Sequence, residues 1–239
     1  MTAKQGEPDP RAVRDAGAVL SAEAARFASF GWMRGTSGNV SLVLSRDPLR
    51  LAVTVSARDK GELTGADVVV VDVKGSAVPI DGAARPASAP SAPSAPPAPS
   101  APSAPSAPSA PSAPSAPSAE AALHAHIASV TGAGAVVHVH TVAAVAAGWH
   151  WPSGVELEGI EMLKGIGVPA EGVRVTIPVI PNSQDMRILG ERFERARRPQ
   201  VPAAIVASHG LYAWGSDLEQ ARHHTEIVEW LLELALAAV

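Results

Sequence analysis

The chain of 239 residues has no cysteine, only nine aromatic side chains and no long apolar run. Without cysteine, a disulfide framework and a thiolate zinc site are both excluded. A metal site would have to use histidine and carboxylate ligands, a combination more typical of catalytic than of structural sites. No window reaches the roughly 18 apolar residues that a membrane span needs, and the N-terminus lacks the pattern of a signal peptide. These absences predict a cytoplasmic protein.

Positive charge is also scarce, because 19 basic residues stand against 23 acidic ones and the formal net charge is -4. The net charge therefore gives no reason to expect binding to a nucleic acid or to an anionic membrane. Apolar side chains make up 46% of the sequence, which is enough for one or two globular domains.

A tract of Ser-Ala-Pro triplets runs through residues 87–117. Proline at every third position favours polyproline II, and serine and alanine offer too little apolar area to form a core. We predict a disordered insertion within one domain that spans residues 10–239. The alternative is a linker between two domains, but the preceding piece of about 85 residues would then need a core of its own.

The apolar pattern changes from strands before this tract to alternating helices and strands after it. An N-terminal helix is predicted from the spacing of Val13, Leu20 and Phe27, and Ser118 is predicted to cap the first helix after the tract. This order favours an α/β fold with one sheet covered by helices on both faces. The predicted strands are 40–44, 51–55, 68–73, 135–140, 173–180 and 203–207. Four later helices are also predicted: one that ends at Gly148, one near 160–164, one over 184–197 and one that starts at Asp217.

Two histidines stand two positions apart in the strand-like run AVVHVHT. Side chains at i and i+2 of a strand point to the same face, so His138 and His140 converge. A divalent metal would satisfy both imidazoles in this valine-rich run, whereas the alternative is a hydrogen-bonded pair of core histidines. His209 is the best candidate for a third ligand, because it follows a buried strand and precedes a glycine. His150, between two tryptophans, is expected to pack in a loop.

Four other histidines are interpreted as core or surface residues. His124 and His126 are two apart on a predicted helix and face different ways, so they cannot bind one ion together. His223 and His224 lie on the C-terminal helix.

Two carboxylates are candidates for acid/base chemistry. Glu120 falls in the first turn of its predicted helix, where the dipole favours a negative charge. Glu161 and Lys164 share one face of the segment GIEMLKGIG. The simpler alternatives are a helix-start charge and a surface ion pair.

The segments GTSGNVS at 35–41 and TVSARDKG at 54–61 are candidate anion cradles. Their small residues allow backbone amides to approach an anion, and their hydroxyl and amide groups add donors. A plain turn would have a similar composition.

In this order, GWMRGTSGNVS, SAE-LH, AVVHVHT, GIEMLKGIG, IPNSQDM and ASHGLYAWG resemble the class II aldolase/adducin family over nearly the whole chain. The resemblance implies a three-layer α/β/α sandwich that assembles as a homotetramer. It also implies Zn²⁺ as the cofactor and a small sugar phosphate as the substrate. The implied zinc ligands are His138, His140 and His209, and the implied phosphate-binding residues are Gly38, Asn39, Ser56 and Ser118.

The resemblance is greatest to the branch that dehydrates 5-methylthioribulose 1-phosphate in methionine salvage. In that branch Glu161 corresponds to the acid/base, whereas Glu120 corresponds to the acid/base of the aldolase branch. Two alternatives stay open: a sugar-phosphate aldolase or epimerase, and a non-catalytic interaction module like the adducin head.

Overall fold

The computed structural model describes residues 8–80 and 117–239. None of the helices in these two segments is both long enough and apolar enough to cross a membrane. The elements in chain order are α1 (Pro10–Ser29), β1 (Asn39–Arg46), β2 (Leu49–Thr54), β3 (Val68–Val71), α2 (Ala121–Thr131), β4 (Ala135–Val139), α3 (Val142–His150), β5 (Val155–Glu158), a 3₁₀ helix (Glu161–Ile166), β6 (Arg174–Ile177), β7 (Val179–Ile180), α4 (Met186–Ala196), β8 (Ala203–Val206), β9 (Gly210–Gly215) and α5 (Leu218–Ala237).

Seven strands form one sheet in the order β3-β2-β1-β4-β9-β8-β7. Neighbouring strands are antiparallel except for β7 and β8, which are parallel. The meander predicted before the insertion is confirmed, since β1, β2 and β3 pair in sequence. Strand β4 occupies the middle of the sheet, and its carboxyl end carries the histidine pair.

Helices cover both faces of the sheet. Along β4, Val137 and Val139 pack in the core cluster shared with α1, α3 and α5, whereas Val136 packs in the cluster shared with α2 and α4. This alternation follows from the period of two in a strand. The result is a three-layer α/β/α arrangement, which confirms the predicted fold class.

Several predicted elements differ in the structure. Strand β5 and strand β9 were not predicted, and the predicted strand 173–180 is two strands that belong to different sheets. The break falls at Pro178, which has no backbone N–H to donate to a ladder. Strand β6 pairs with β5, and β7 pairs with β8.

The triplet insertion predicted for 87–117 lies outside the described residues except for Pro117. The chain segments on its two sides nevertheless contact each other. Gly75, in the turn after β3, lies so close to the backbone of Ala122 in α2 that a side chain at position 75 would clash with it. Helix α2, which follows the insertion, is therefore packed against the turn that precedes the insertion.

We predict that deletion of residues 87–117 leaves the fold and the metal content intact. The packing of Gly75 on Ala122 depends on no residue of the tract, and a shorter loop lowers the entropy cost of closure. The melting temperature and the metal stoichiometry of the deletion variant test this. A variant that fails to fold would revive the interpretation of the tract as a linker between two domains.

Candidate metal centre

Three imidazoles meet at the carboxyl end of β4. The Nε2 atom of His138 lies 2.8 Å from Nε2 of His140 and 3.2 Å from Nε2 of His209. His138 is the penultimate residue of β4, His140 follows the strand, and His209 stands in the turn between β8 and β9. The structure thus brings the three predicted ligands together.

His138 is the most firmly held of the three. Its side chain is fully buried, and its Nδ1 donates to the Leu211 carbonyl at 3.0 Å, since a carbonyl can only accept. With the proton on Nδ1, the lone pair of Nε2 points toward the other two imidazoles. Its ring also stacks on Tyr212, with 3.9 Å between the ring centroids.

A carboxylate completes the cluster. Oε1 of Glu120 lies 3.0 Å from Nε2 of His209 and 3.6 Å from Nε2 of His138. One ligand atom from each of the four side chains lies within 4.8 Å of the others. Burial raises the pKa of Glu120, but the nearby imidazoles of His138 and His209 outweigh burial and hold that pKa well below its ordinary value.

These side chains fit a divalent metal ion. In a tetrahedral site, ligand nitrogens about 2.0–2.1 Å from the ion lie about 3.3–3.4 Å apart. The His138–His209 distance of 3.2 Å matches this spacing, and the His138–His140 distance of 2.8 Å is slightly shorter. Metal binding also needs neutral imidazoles. Burial and the two neighbouring histidines lower the pKa of His140 to about 3, so its ring is neutral near pH 7. Nitrogen-rich sites of this kind suit zinc and other first-row metals.

Asn39 and Ser118 hold the Glu120 carboxylate from its other side. The Asn39 amide donates to Glu120 Oε2 at 2.6 Å and to Ser118 Oγ at 3.0 Å. Asn39 pairs with His138 across β1 and β4, which fixes this amide beside the cluster. Two predictions were therefore wrong in detail: Glu120 is the N-cap residue rather than part of the first turn, and Ser118 does not cap α2. The Ser118 hydroxyl instead accepts from the backbone amide of Glu120 and from the side-chain amide of Asn39.

A polar cavity of about 200 Å³ opens between the cluster and the two candidate anion cradles. Gly38 approaches β4 so closely that a Cβ there would lie 2.9 Å from the His138 carbonyl oxygen, and its φ of 73° also favours glycine. All four predicted phosphate-binding residues line this cavity. Its lining comprises Thr36, Ser37, Gly38, Asn39, Val55, Ser56, Lys60, Ser118, Ala119, Glu120 and His140.

Lys60 is a site residue that sequence reasoning missed. It is 1% exposed, and its Nζ donates to the Thr36 and Arg58 carbonyls at 2.9 Å each, so it joins the two cradles. An ammonium group has three donors, which leaves one for an anion in the polar cavity. Burial lowers the pKa of Lys60, and the charges of Asp59 and Glu120 oppose that shift.

Glu161 lies apart from this cluster. It begins the 3₁₀ helix with its side chain 77% exposed, and its Oε1 accepts from Lys164 at 2.6 Å. The surface ion pair that was the simpler alternative for these two residues is therefore present. Among the described residues, no hydrogen bond or ion pair joins Glu161 to the histidines.

The remaining histidines lie outside the cluster. His124 is buried and hydrogen-bonded to Ser41 Oγ at 2.7 Å, and burial lowers its pKa to about 3. His224 is buried, whereas His126 is half-buried and His223 is exposed, as core and surface roles imply. The prediction for His150 was wrong, because it ends α3 as an exposed residue rather than packing in a loop.

Buried contacts fix the segment that follows His140. The Thr141 hydroxyl accepts from the Ala144 amide at 3.1 Å, capping α3, and donates to Glu229 Oε2 at 2.8 Å. Burial raises the pKa of Glu229 to about 7. Thr141 thus anchors the start of α3, next to His140, to helix α5.

The chain is similar over most of its length to proteins named methylthioribulose-1-phosphate dehydratase. The protein of this name from Sulfurihydrogenibium sp. (strain YO3AOP1) is 32% identical over 206 residues, which cover 85% of this chain and 81% of the relative. The corresponding protein from Persephonella marina is 32% identical over 205 residues, covering 85% and 80% of the two chains.

Solved structures agree on the fold. The L-fuculose-1-phosphate aldolase from Thermus thermophilus superimposes with a TM-score of 0.61 at 20% sequence identity, covering 93% of this chain and 95% of the aldolase. The family described as class II aldolase and adducin N-terminal domain matches residues 19–236. This chain therefore belongs to the class II aldolase and adducin N-terminal domain family.

Proposed function

We propose that this chain is a lyase that dehydrates 5-methylthioribulose 1-phosphate to 2,3-diketo-5-methylthiopentyl 1-phosphate in methionine salvage. The observation that carries the proposal is the meeting of His138, His140 and His209 in a chain 32% identical to proteins named for that reaction. We propose zinc as the metal, held by the three histidines. The cytoplasmic location and the homotetramer implied by the resemblance stay predictions.

The substrate phosphate belongs in the polar cavity. Lys60 offers a positive charge there, and the close backbone at Gly38 and the hydroxyl of Ser56 line the same cavity. Bound in this way, the sugar extends from its C1 phosphate toward the histidine cluster. When bound, zinc supplies Lewis acidity that makes the C3 proton next to the ketone more acidic.

The two glutamates receive different roles in the proposal. Both oxygens of Glu120 are engaged, one by His209 and His138 and the other by Asn39 and Ser118, so this carboxylate is fixed in the wall of the centre. We assign the proton transfer to Glu161 on its motif match alone, since in this structure its exposed side chain lies apart from the histidines. It takes the C3 proton and delivers one to the departing C4 hydroxyl, after which the enol becomes the ketone.

A panel of substrates tests the reaction class. We expect diketone from 5-methylthioribulose 1-phosphate, with no cleavage of L-fuculose 1-phosphate and no epimerisation of ribulose phosphates. Cleavage to an aldehyde without any diketone would make the chain an aldolase. An interaction module like the adducin head need not keep metal ligands, so a metal-free purified protein with no turnover would favour that alternative.

We predict that Lys60→Met raises the KM for the phosphorylated substrate at least about tenfold, because a charge-assisted hydrogen bond to phosphate is lost. Inhibition by inorganic phosphate should weaken by a similar factor, and the metal content should not change. Lys74→Met, at an exposed lysine, is the matched control. An unchanged phosphate inhibition constant in a folded Lys60→Met variant would remove Lys60 from the phosphate site.

A further inference from the structure

A second cavity, of about 390 Å³, lies against the histidine cluster on the side of helix α3. We call it the apolar cavity. The ligands His140 and His209 form one wall, and Val142, Val145 and Trp149 of α3 contribute to the other. His140 also lines the polar cavity, so the cluster stands between two cavities of opposite chemistry.

Two large apolar side chains are exposed at this cavity. Val142 is 77% and Trp149 is 69% exposed, although both lie beside a candidate catalytic centre. Trp149 is held in place, because its indole Nε1 donates to Ser208 Oγ at 2.9 Å, and Ser208 directly precedes the ligand His209. The indole ring is thereby tied to the turn that carries the third ligand.

The polar side-chain atoms of the apolar cavity, apart from the two imidazoles, are already paired. The Thr141 hydroxyl is used both as an acceptor from Ala144 and as a donor to Glu229, and the Trp149 N–H is used by Ser208. Val145 and Ala146 offer only methyl groups. A hydroxyl group of a ligand placed along α3 would therefore find no free side-chain partner there besides the two imidazoles.

We propose that the apolar cavity binds the methylthio end of the substrate and that Trp149 is a specificity-determining residue. This inference rests on the proposed function. With the phosphate in the polar cavity and the ketone at the histidines, C5 of the sugar points away from the phosphate, toward α3. A thioether suits this place because it is apolar and makes favourable contacts with aromatic rings.

The test compares 5-methylthioribulose 1-phosphate with ribulose 1-phosphate, which carries a hydroxyl in place of the methylthio group. An apolar pocket gives a preference of about 10–200-fold for a small apolar group, so we expect wild-type kcat/KM to favour the thioether by about 100-fold. Trp149→Ala should lower this ratio about tenfold, through a higher KM for the thioether substrate. Trp230→Ala, at a 42% exposed tryptophan of α5, is the matched control.

A second variant guards against an indirect effect through Ser208 and His209. Val145→Thr keeps the volume of the side chain and adds a hydroxyl to the cavity, so it should also lower the preference for the thioether. If the Trp149→Ala variant loses metal, the Val145→Thr variant decides whether the apolar cavity sets the preference for the thioether. Equal effects of the variants on both substrates, or no effect on either, would overturn the proposal.

Equilibrium binding separates this inference from the proposed function. The C2 alcohols 5-methylthiopentitol 1-phosphate and pentitol 1-phosphate cannot be enolised, so calorimetry measures their affinities without turnover. We expect the thioether to bind more tightly to the wild type and to lose that advantage in Trp149→Ala. A retained preference in a protein that dehydrates neither substrate would overturn only the proposed reaction, whereas equal affinities for the two alcohols would overturn the role of the apolar cavity.

Discussion

Replacement of His138 by alanine is expected to remove the bound metal and the dehydration activity together. His138 is the central imidazole, since its Nε2 faces the Nε2 atoms of both His140 and His209. Removing a residue that only orients a metal ligand lowers metal affinity about 10–100-fold. Removing the His138 imidazole itself should therefore lower metal affinity at least about 100-fold. Metal analysis after gel filtration should then give less than about one tenth of an ion per chain, against one ion in the wild type.

His223→Ala is the control for this experiment, because His223 is an exposed histidine outside the cluster. It should keep both the metal and the turnover. A His138→Ala protein that is folded and still holds one ion per chain would contradict the assignment of the centre.

Replacement of Glu161 by glutamine is expected to lower kcat by about 10²–10⁴-fold while the metal stays bound. The amide cannot exchange a proton with C3 or with the C4 hydroxyl, and the exposed side chain at 161 makes no contact with the histidines. Turnover and metal content, measured on the same sample, test both halves of this prediction.

Glu120→Gln is the matched comparison, because it makes the same change in the carboxylate that contacts His209 and His138. It should weaken metal binding, in contrast to Glu161→Gln. Near-normal turnover in Glu161→Gln would move the acid/base role to Glu120.

The three clustered histidines could be predicted from the sequence because local rules place them. The period of two in β4, continued one residue past its end, brings His138 and His140 to one face, and a strand that ends before a glycine places His209 at a turn. The buried face of helix α1, which includes Val13, Leu20 and Phe27, also follows from the helical spacing of these apolar residues.

Other features depend on pairing between distant parts of the chain. The register of β1 on β4 sets Asn39 opposite His138, and no local pattern specifies that pairing. Lys60, in a polar segment, has the sequence appearance of a surface lysine, yet it is buried between two carbonyls from different loops. Strand β9 was missed because its sequence GLYAWG has glycine at both ends and no alternation of polar and apolar residues.

The apolar cavity is likewise a tertiary feature. The alanine-rich sequence of α3 predicts a helix, but the orientation of Trp149 depends on a hydrogen bond to Ser208, 59 residues away in the chain. Sequence spacing could not place that ring beside His209.

The most direct measurement is the mass of the product formed from 5-methylthioribulose 1-phosphate by chelator-treated protein with and without added zinc. The account predicts loss of one water from the substrate only when zinc is restored, at one ion per chain, with the carbon skeleton intact. Unchanged substrate at full zinc occupancy, or two fragments from carbon–carbon cleavage, would contradict it.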